Sequence, residues 1–254
     1  MYTAITASVD DHVAVIELNR PPANYFDGLL IGEVADAAQG LVAQGARAIV
    51  VAAAGKHFCA GANFSAGEMA GDRADSTRAL YQEAARLFDI PVPVIAAVQG
   101  SAVGGGVGLA CAADFRVAAP STRFHATFSM LGFHQGFGLS VTLPEIVGPR
   151  QALDLLGTGR RVTGEQALEL GLADRLVPDG EQRAEAVRWA GEFAAAAPLA
   201  VQSIKRTLRG SLAERVRAVL DHEHHEQVRL WATEDSRTGI EANLARQRPV
   251  FSGR

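Results

Sequence analysis

Between residues 2 and 21 apolar and polar positions alternate on both sides of an Asp-Asp pair, in "YTAITASVDDHVAVIELNRP". A period of two interrupted by a turn predicts a β-hairpin. The period then lengthens. "LIGEVADAAQGLVAQG" repeats its apolar positions near the helical period and stops at Gly45, as a helix does. "ARAIVVAAAG" is a short unbroken apolar run, suited to a strand covered on both faces. "DSTRALYQEAARLFDIP" predicts an amphipathic helix closed at Pro91, and "VPVIAAVQG" a second buried strand whose following glycines open a helix. "FRVAAPSTRFH" reads as one more strand. This order is mixed α/β with helical crossovers. From Ser140 onward the pattern is nearly all helical: "LPEIVGPRQALDLLGTG", "TGEQALELGLAD" and "EQRAEAVRWAGEFAAAA" are helices punctuated by Gly or Pro, and Leu212 to Thr233 is a long amphipathic helix. No Pro/Ser linker intervenes, so residues 197–254 are expected to form a helical region packed on a core of residues 1–196 or on a neighbouring subunit.

Composition narrows the class. With 48% apolar and 20% charged residues in 254, the chain can fill a sizeable core. A net charge of −4 argues against nucleic acid and against a basic membrane-surface patch. The apolar runs are too short and too rich in Ala and Gly for a membrane span, and "MYTAITASVDDHV" does not read as a secretory signal. Two cysteines, Cys59 and Cys111, without CxxC spacing, fit buried thiols in a reducing, cytoplasmic setting.

Chemistry enters at "VIAAVQGSAVGGGVGLACAADFRVA", where three consecutive glycines, Gly104 to Gly106, stand at the opening of a helix. Without Cβ atoms a ligand can sit directly on backbone N–H groups. The first helical turn also leaves such groups unpaired and aimed at negative charge. The site therefore suits an anionic oxygen. "GSAVGGG" superficially resembles a dinucleotide fingerprint, but Asp114 comes too early to complete that unit. No Gly-Lys-Ser/Thr follows to make a phosphate loop.

Four segments together carry a more specific signal: "VIELNRPPAN", "HFCAGANF", "VQGSAVGGGVGLACAADFRVA" and "LLGTGRRVTGEQALELGLADRLVP". From about Ile5 to Phe251 the chain resembles the crotonase superfamily, the enoyl-CoA hydratase/isomerase family. The resemblance implies an α/β fold, a spiral of β-β-α repeats followed by a C-terminal helical trimerisation region, and a homotrimer or dimer of trimers. It implies an oxyanion hole for a thioester carbonyl, made by the N–H groups of Ala62 and Gly105 beside Gly104. It places the adenine of coenzyme A near Pro22, Ala23 and Asn24 and beside the backbone of Cys59 and Ala60. Phe64 falls to the substrate site, and Lys205 with Arg206 to the nucleotide phosphates.

By the same resemblance the hydratase glutamates correspond to Gly108 and Phe128, and an aspartate of isomerase-like relatives corresponds to Gly136. None of these can move a proton. Within "GFHQGFG" the remaining titratable residue is His134, whose type has an unperturbed pKa of about 6.5. It is the candidate acid/base, with Gln135 placed to orient water or bond an acyl substituent. His57, His125, Glu68 and Asp72 are lesser candidates, Asn63 is expected to cap its turn, and His222, His224 and His225 diverge around a helix rather than form a metal site.

The expected function is processing of an acyl-CoA thioester at Cα through a stabilised enolate, as a lyase or isomerase of fatty-acid type with weak hydratase activity. Coenzyme A enters only as part of the substrate, with no other cofactor and no metal. The alternative is a non-catalytic acyl-CoA-binding protein that keeps the fold and the oxyanion hole.

Overall fold

The structure is a computed structural model that describes residues 2–64 and 73–254. Strands β1 (Ile5–Asp10) and β2 (Val13–Leu18) form the expected antiparallel hairpin. Its two-residue turn, Asp11-His12, has φ of 41° and 64°, the left-handed pair that matches the twist of a tight hairpin. Helix α1 (Gly28–Ala43) starts at an N-cap, Asp27, whose carboxylate accepts from the Leu30 N–H, and returns the chain to β3 (Ala48–Ala53), parallel to β2. After α2 (Arg73–Arg86) comes β4 (Val94–Ala97), parallel to β3.

From here the chain alternates between two sheets. It passes from β4 to β5 (Ser101–Val103) and α3 (Gly105–Ala112), then from β6 (Phe115–Ala118) to β7 (Arg123–His125) and α4 (Leu139–Val147). α5 (Pro149–Thr158), β8 (Arg161–Thr163), α6 (Gly164–Glu169), β9 (Arg175–Leu176) and α7 (Gln182–Ala194) follow. The larger sheet has the order β1-β2-β3-β4-β6-β9 and the smaller β5-β7-β8. Each turn visits the large sheet, then the small one, then a helix, which is the β-β-α spiral.

Three expectations change. The glycine turn follows β5, not β4, because Gly100 bends the chain out of the large sheet first. Residues 115–125 are two strands in different sheets, β6 and β7. Residues 143–159 are two helices, parted at Gly148, where φ is 79°. α8 (Pro198–Arg209), α9 (Leu212–Trp231) and α10 (Glu234–Leu244) complete the chain. Leu212, Val216, Leu220 and Ile240 of this region belong to the same apolar core as Ile16, Ile49 and Leu109. α7 covers the opposite face of the large sheet, with Phe115 against Trp189 and Phe193.

Candidate functional site

The two glycine-bearing segments lie side by side. The Cys59 N–H donates to the Ser101 carbonyl (3.1 Å) and the Val103 N–H to the Cys59 carbonyl (2.9 Å), so residues around Cys59 extend the small sheet along β5. At Gly61 φ is +77°, and a Cβ there would fall 2.7 Å from the Val103 oxygen. At Gly104 φ is +53°. Only glycine takes both conformations without strain. Immediately beyond these two turns stand Ala62 and Gly105, and among the described residues neither N–H enters a backbone hydrogen bond. Gly105 is the first residue of α3, so its N–H is left over by helix geometry and carries the positive end of the helix dipole.

Both residues open into a cavity of about 400 Å³. Ala60 to Phe64 and Val103 to Gly105 form its backbone wall. The facing wall is made of side chains from α2, α9 and the turn after β7, among them Tyr81, Phe128, Phe133, Phe137, Gln227 and Trp231. The rings are in edge contact, Phe128 to Phe133 and Phe133 to Trp231, each pair 6.1 Å between centroids.

The space beside Gly108 and Gly136 is filled by other side chains. A Cβ on Gly108 would lie 2.6 Å from the Phe137 Cβ, and one on Gly136 would lie 1.7 Å from the Tyr81 hydroxyl. Phe128 lines the cavity as an apolar ring. Tyr81 is buried and donates to the Gln227 Oε1 at 2.8 Å. Burial, reinforced by the nearby Glu223 charge, raises its pKa far above the ordinary phenol value, so it stays protonated.

The structure corrects the expectation for His134 and Gln135, which do not line the cavity. Gln227 donates from Nε2 to the His134 carbonyl (3.0 Å), fixing the turn with the His134 ring directed at α9. There its Nδ1 meets the Gln135 carbonyl (2.8 Å) and the ring stands 5.7 Å from that of His222. The Gln135 side chain donates to the Ser140 hydroxyl instead.

Other candidates are also committed elsewhere. The Asn24 amide is buried and donates to the Ala54 and His57 carbonyls, while its oxygen accepts from the Arg20 N–H. It clips two turns together. Cys59 spends both backbone groups on β5, and burial pushes its thiol up to about 12. Lys205 is drawn inward to Asp114 (2.6 Å) and the Val92 carbonyl (2.7 Å), so its ammonium does not face phosphates. Pro22 is exposed and Ala23 half-buried, its carbonyl accepting from the Ala60 N–H; Arg206 is exposed.

His125 bonds the Gly159 carbonyl through Nε2 at 2.7 Å. Burial, together with the Lys56 charge, lowers the His57 pKa, and its Nδ1 is buried without a partner among the described residues. His224 bonds the Ala74 carbonyl, and no group of metal-ligating residues occurs among the described residues. Asn63 lines the cavity, whereas Glu68 and Asp72 lie outside the described residues.

The family model for enoyl-CoA hydratase/isomerase matches residues 8–254. The chain belongs to the enoyl-CoA hydratase/isomerase family. It is 31% identical over 257 residues to a probable enoyl-CoA hydratase of Bacillus subtilis, covering 98% of this chain and 99% of that one. It is 38% identical over 231 residues to a probable enoyl-CoA hydratase of Mycobacterium tuberculosis, covering 89% and 88%. An enoyl-CoA hydratase/isomerase structure from Pseudoalteromonas atlantica superposes with a TM-score of 0.86 at 26% identity, over 98% of this chain and all of that one. Within the family's spiral, sequence reasoning overlooked Arg73, Tyr81, Gln227 and Trp231. Their one signal was spacing: Arg73, Thr77 and Tyr81, like Gln227 and Trp231, recur four apart and so share a helix face.

Proposed function

We propose that the protein binds an acyl-CoA thioester with its carbonyl oxygen between the N–H groups of Ala62 and Gly105, and stabilises the enolate that forms when Cα loses a proton. The observation that carries this is the pair of N–H groups, unengaged among the described residues, set by two strand-anchored turns at the edge of an apolar cavity. Such donors act on the charge that develops in the transition state, and one of them is typically worth about 2.7–4 kcal/mol. Ordinary hydration needs two proton-moving groups; in support of a different chemistry, Phe137 and Tyr81 crowd Gly108 and Gly136, and Phe128 lines the cavity as an apolar ring. The side-chain wall therefore supports exchange of a single proton at Cα, of isomerase or slow lyase type: the Cα–H bond breaks to a water in the cavity, which returns a proton to the enolate, while the Tyr81 hydroxyl, its own hydrogen held on Gln227, offers that water an acceptor.

A specific observation also favours the non-catalytic reading. Asp27 lines the cavity, but its two oxygens are held by Arg20 (2.7 Å) and by the Leu30 N–H (2.9 Å). Calorimetry with acetoacetyl-CoA, NADH and ATP tests the ligand class, and tight NADH binding without CoA binding would overturn it. Deuterium exchange at Cα of a bound acyl-CoA, followed by NMR, then separates enzyme from binder, since a binder shows no exchange. The same proposal makes the protein a cytoplasmic homotrimer or dimer of trimers. In support, α8 has no buried residue and exposes Leu199, Ile204 and Leu208. Light scattering should return three or six times 26.7 kDa.

A further inference from the structure

Arg73 is a cation inside the apolar cavity. Its guanidinium carbon lies 4.1 Å from the Trp231 ring centroid and 5.5 Å from those of Phe64 and Phe133. Aromatic faces attract the flat faces of a guanidinium, and they leave its five in-plane N–H donors unused. No carboxylate, carbonyl or hydroxyl among the described residues accepts from those donors. The Trp231 indole N–H, on the same wall, is buried without a partner among the described residues. Desolvation lowers the Arg73 pKa to about 10, which still leaves it charged at neutrality.

Among the described residues an alkyl acyl chain would give these half-buried donors no acceptor, an arrangement that costs free energy wherever it shuts out water. The cavity also has an order. Thr127 adjoins Gly104, Phe128 follows it in sequence, and ring contacts lead from Phe128 through Phe133 to Trp231 and Arg73. Counted from Phe128 the cation thus lies beyond the rings of Phe133 and Trp231, and counted from Ala62 it lies beyond the ring of Phe64. Resting on the acyl-thioester function above, we propose that the acyl group carries a carboxylate at its far end, and that Arg73 receives it with the Trp231 N–H as a further donor. The substrate class is then a dicarboxylic acid joined to coenzyme A through one carboxyl group. The free carboxylate matches the planar fork of the guanidinium, which binds two oxygens at once.

The test is calorimetric binding of glutaryl- and adipyl-CoA against pentanoyl- and hexanoyl-CoA of the same carbon count, with free CoA as reference. Wild-type protein should prefer the dicarboxylic thioesters by about 10- to 100-fold, the range of a charge-assisted hydrogen bond. Arg73→Met should erase the preference, Arg73→Lys should keep part of it, and free CoA should bind all three proteins alike. Equal or tighter wild-type binding of the neutral thioesters would overturn the proposal without any variant having to fold. Retention of the preference in Arg73→Met would overturn it too. A loss of free CoA binding in Arg73→Met would instead assign Arg73 to the nucleotide phosphates. If wild-type protein binds no CoA thioester at all, the acyl-thioester function fails and this proposal falls with it.

Discussion

The two walls of the cavity are built on opposite principles. On one side, residues 59–62 and 103–105 act through backbone atoms, and the hydrogen bonds between Cys59 and β5 fix where those atoms lie. On the other, α2, α9 and the turn after β7 act through side chains, aromatic, amide and cationic ones among them. On the function proposed above, the first wall would polarise a carbonyl whatever the acyl group. The second decides which acyl group fits and what protons are at hand. Because they are separate elements, proton-moving residues can be lost from the second while the first stays intact.

That separation can be broken from either side. The largest effect is expected from Gly106→Ala. Its Cβ would fall 2.2 Å from the Cys59 carbonyl oxygen, a backbone atom held in the sheet. Overpacking against so rigid a neighbour should cost about 3 kcal/mol or more. At about 2–4 °C per kcal/mol for a chain of this size, a melting scan should show a fall of roughly 6–12 °C, with acyl-CoA binding lost. An unchanged melting temperature would mean the backbone wall is softer than its contacts imply.

On the side-chain wall, Gly108→Glu alone should remain inactive toward crotonyl-CoA, since Phe137 occupies the space. Combined with Phe137→Gly and Phe128→Glu, it should raise hydration by about 10²-fold or more. Phe137 has φ of 63°, a conformation glycine takes more easily, which offsets part of the lost packing. No gain in the triple variant would show that more than the missing carboxylates limits hydration.

Tyr81→Phe should lower Cα deuterium exchange while sparing acyl-CoA affinity. It also leaves the Gln227 oxygen without its donor, a cost of about 1–3 kcal/mol readable in urea unfolding. Exchange at the wild-type rate would remove Tyr81 from the chemistry. The smallest effect serves as a control: Gly40→Ala, inside α1 with nothing within 4 Å of the new Cβ, should stabilise by about 0.5–1 kcal/mol. A loss there would indicate that α1 is in contact with a neighbouring subunit.

The backbone wall was legible in the sequence because its signal is local. "CAGA" and "GSAVGGG" demand glycine for reasons contained within a few residues, and the alternation of "YTAITASVDDHVAVIELNRP" reports a hairpin directly. The side-chain wall was not legible, because it forms from helices far apart in the chain. Tyr81 and Gln227 meet across 146 positions, and nothing in "RALYQE" or "HEQVRLW" announces the meeting. His134 misled for the same reason. Its type suited proton transfer, but its direction is set by Gln227, an amide on α9. The resemblance gives Lys205 to the nucleotide phosphates, whereas Asp114, 91 positions away, holds its ammonium.

Glu223 of α9 accepts from the N–H groups of Gly138 and Ser140, at 2.8 and 2.9 Å, and so supplies the acceptor that the start of α4 needs. During synthesis, α4 emerges some eighty residues before that carboxylate, which lies 85 positions beyond Gly138. The turn carrying Phe137 therefore waits, uncapped, while the later helices are made. The two glycine turns can take shape on the nascent chain, whereas the side-chain wall closes only after α9 has left the ribosome, and a chain stalled before that point has the backbone edge of the cavity without the wall that faces it.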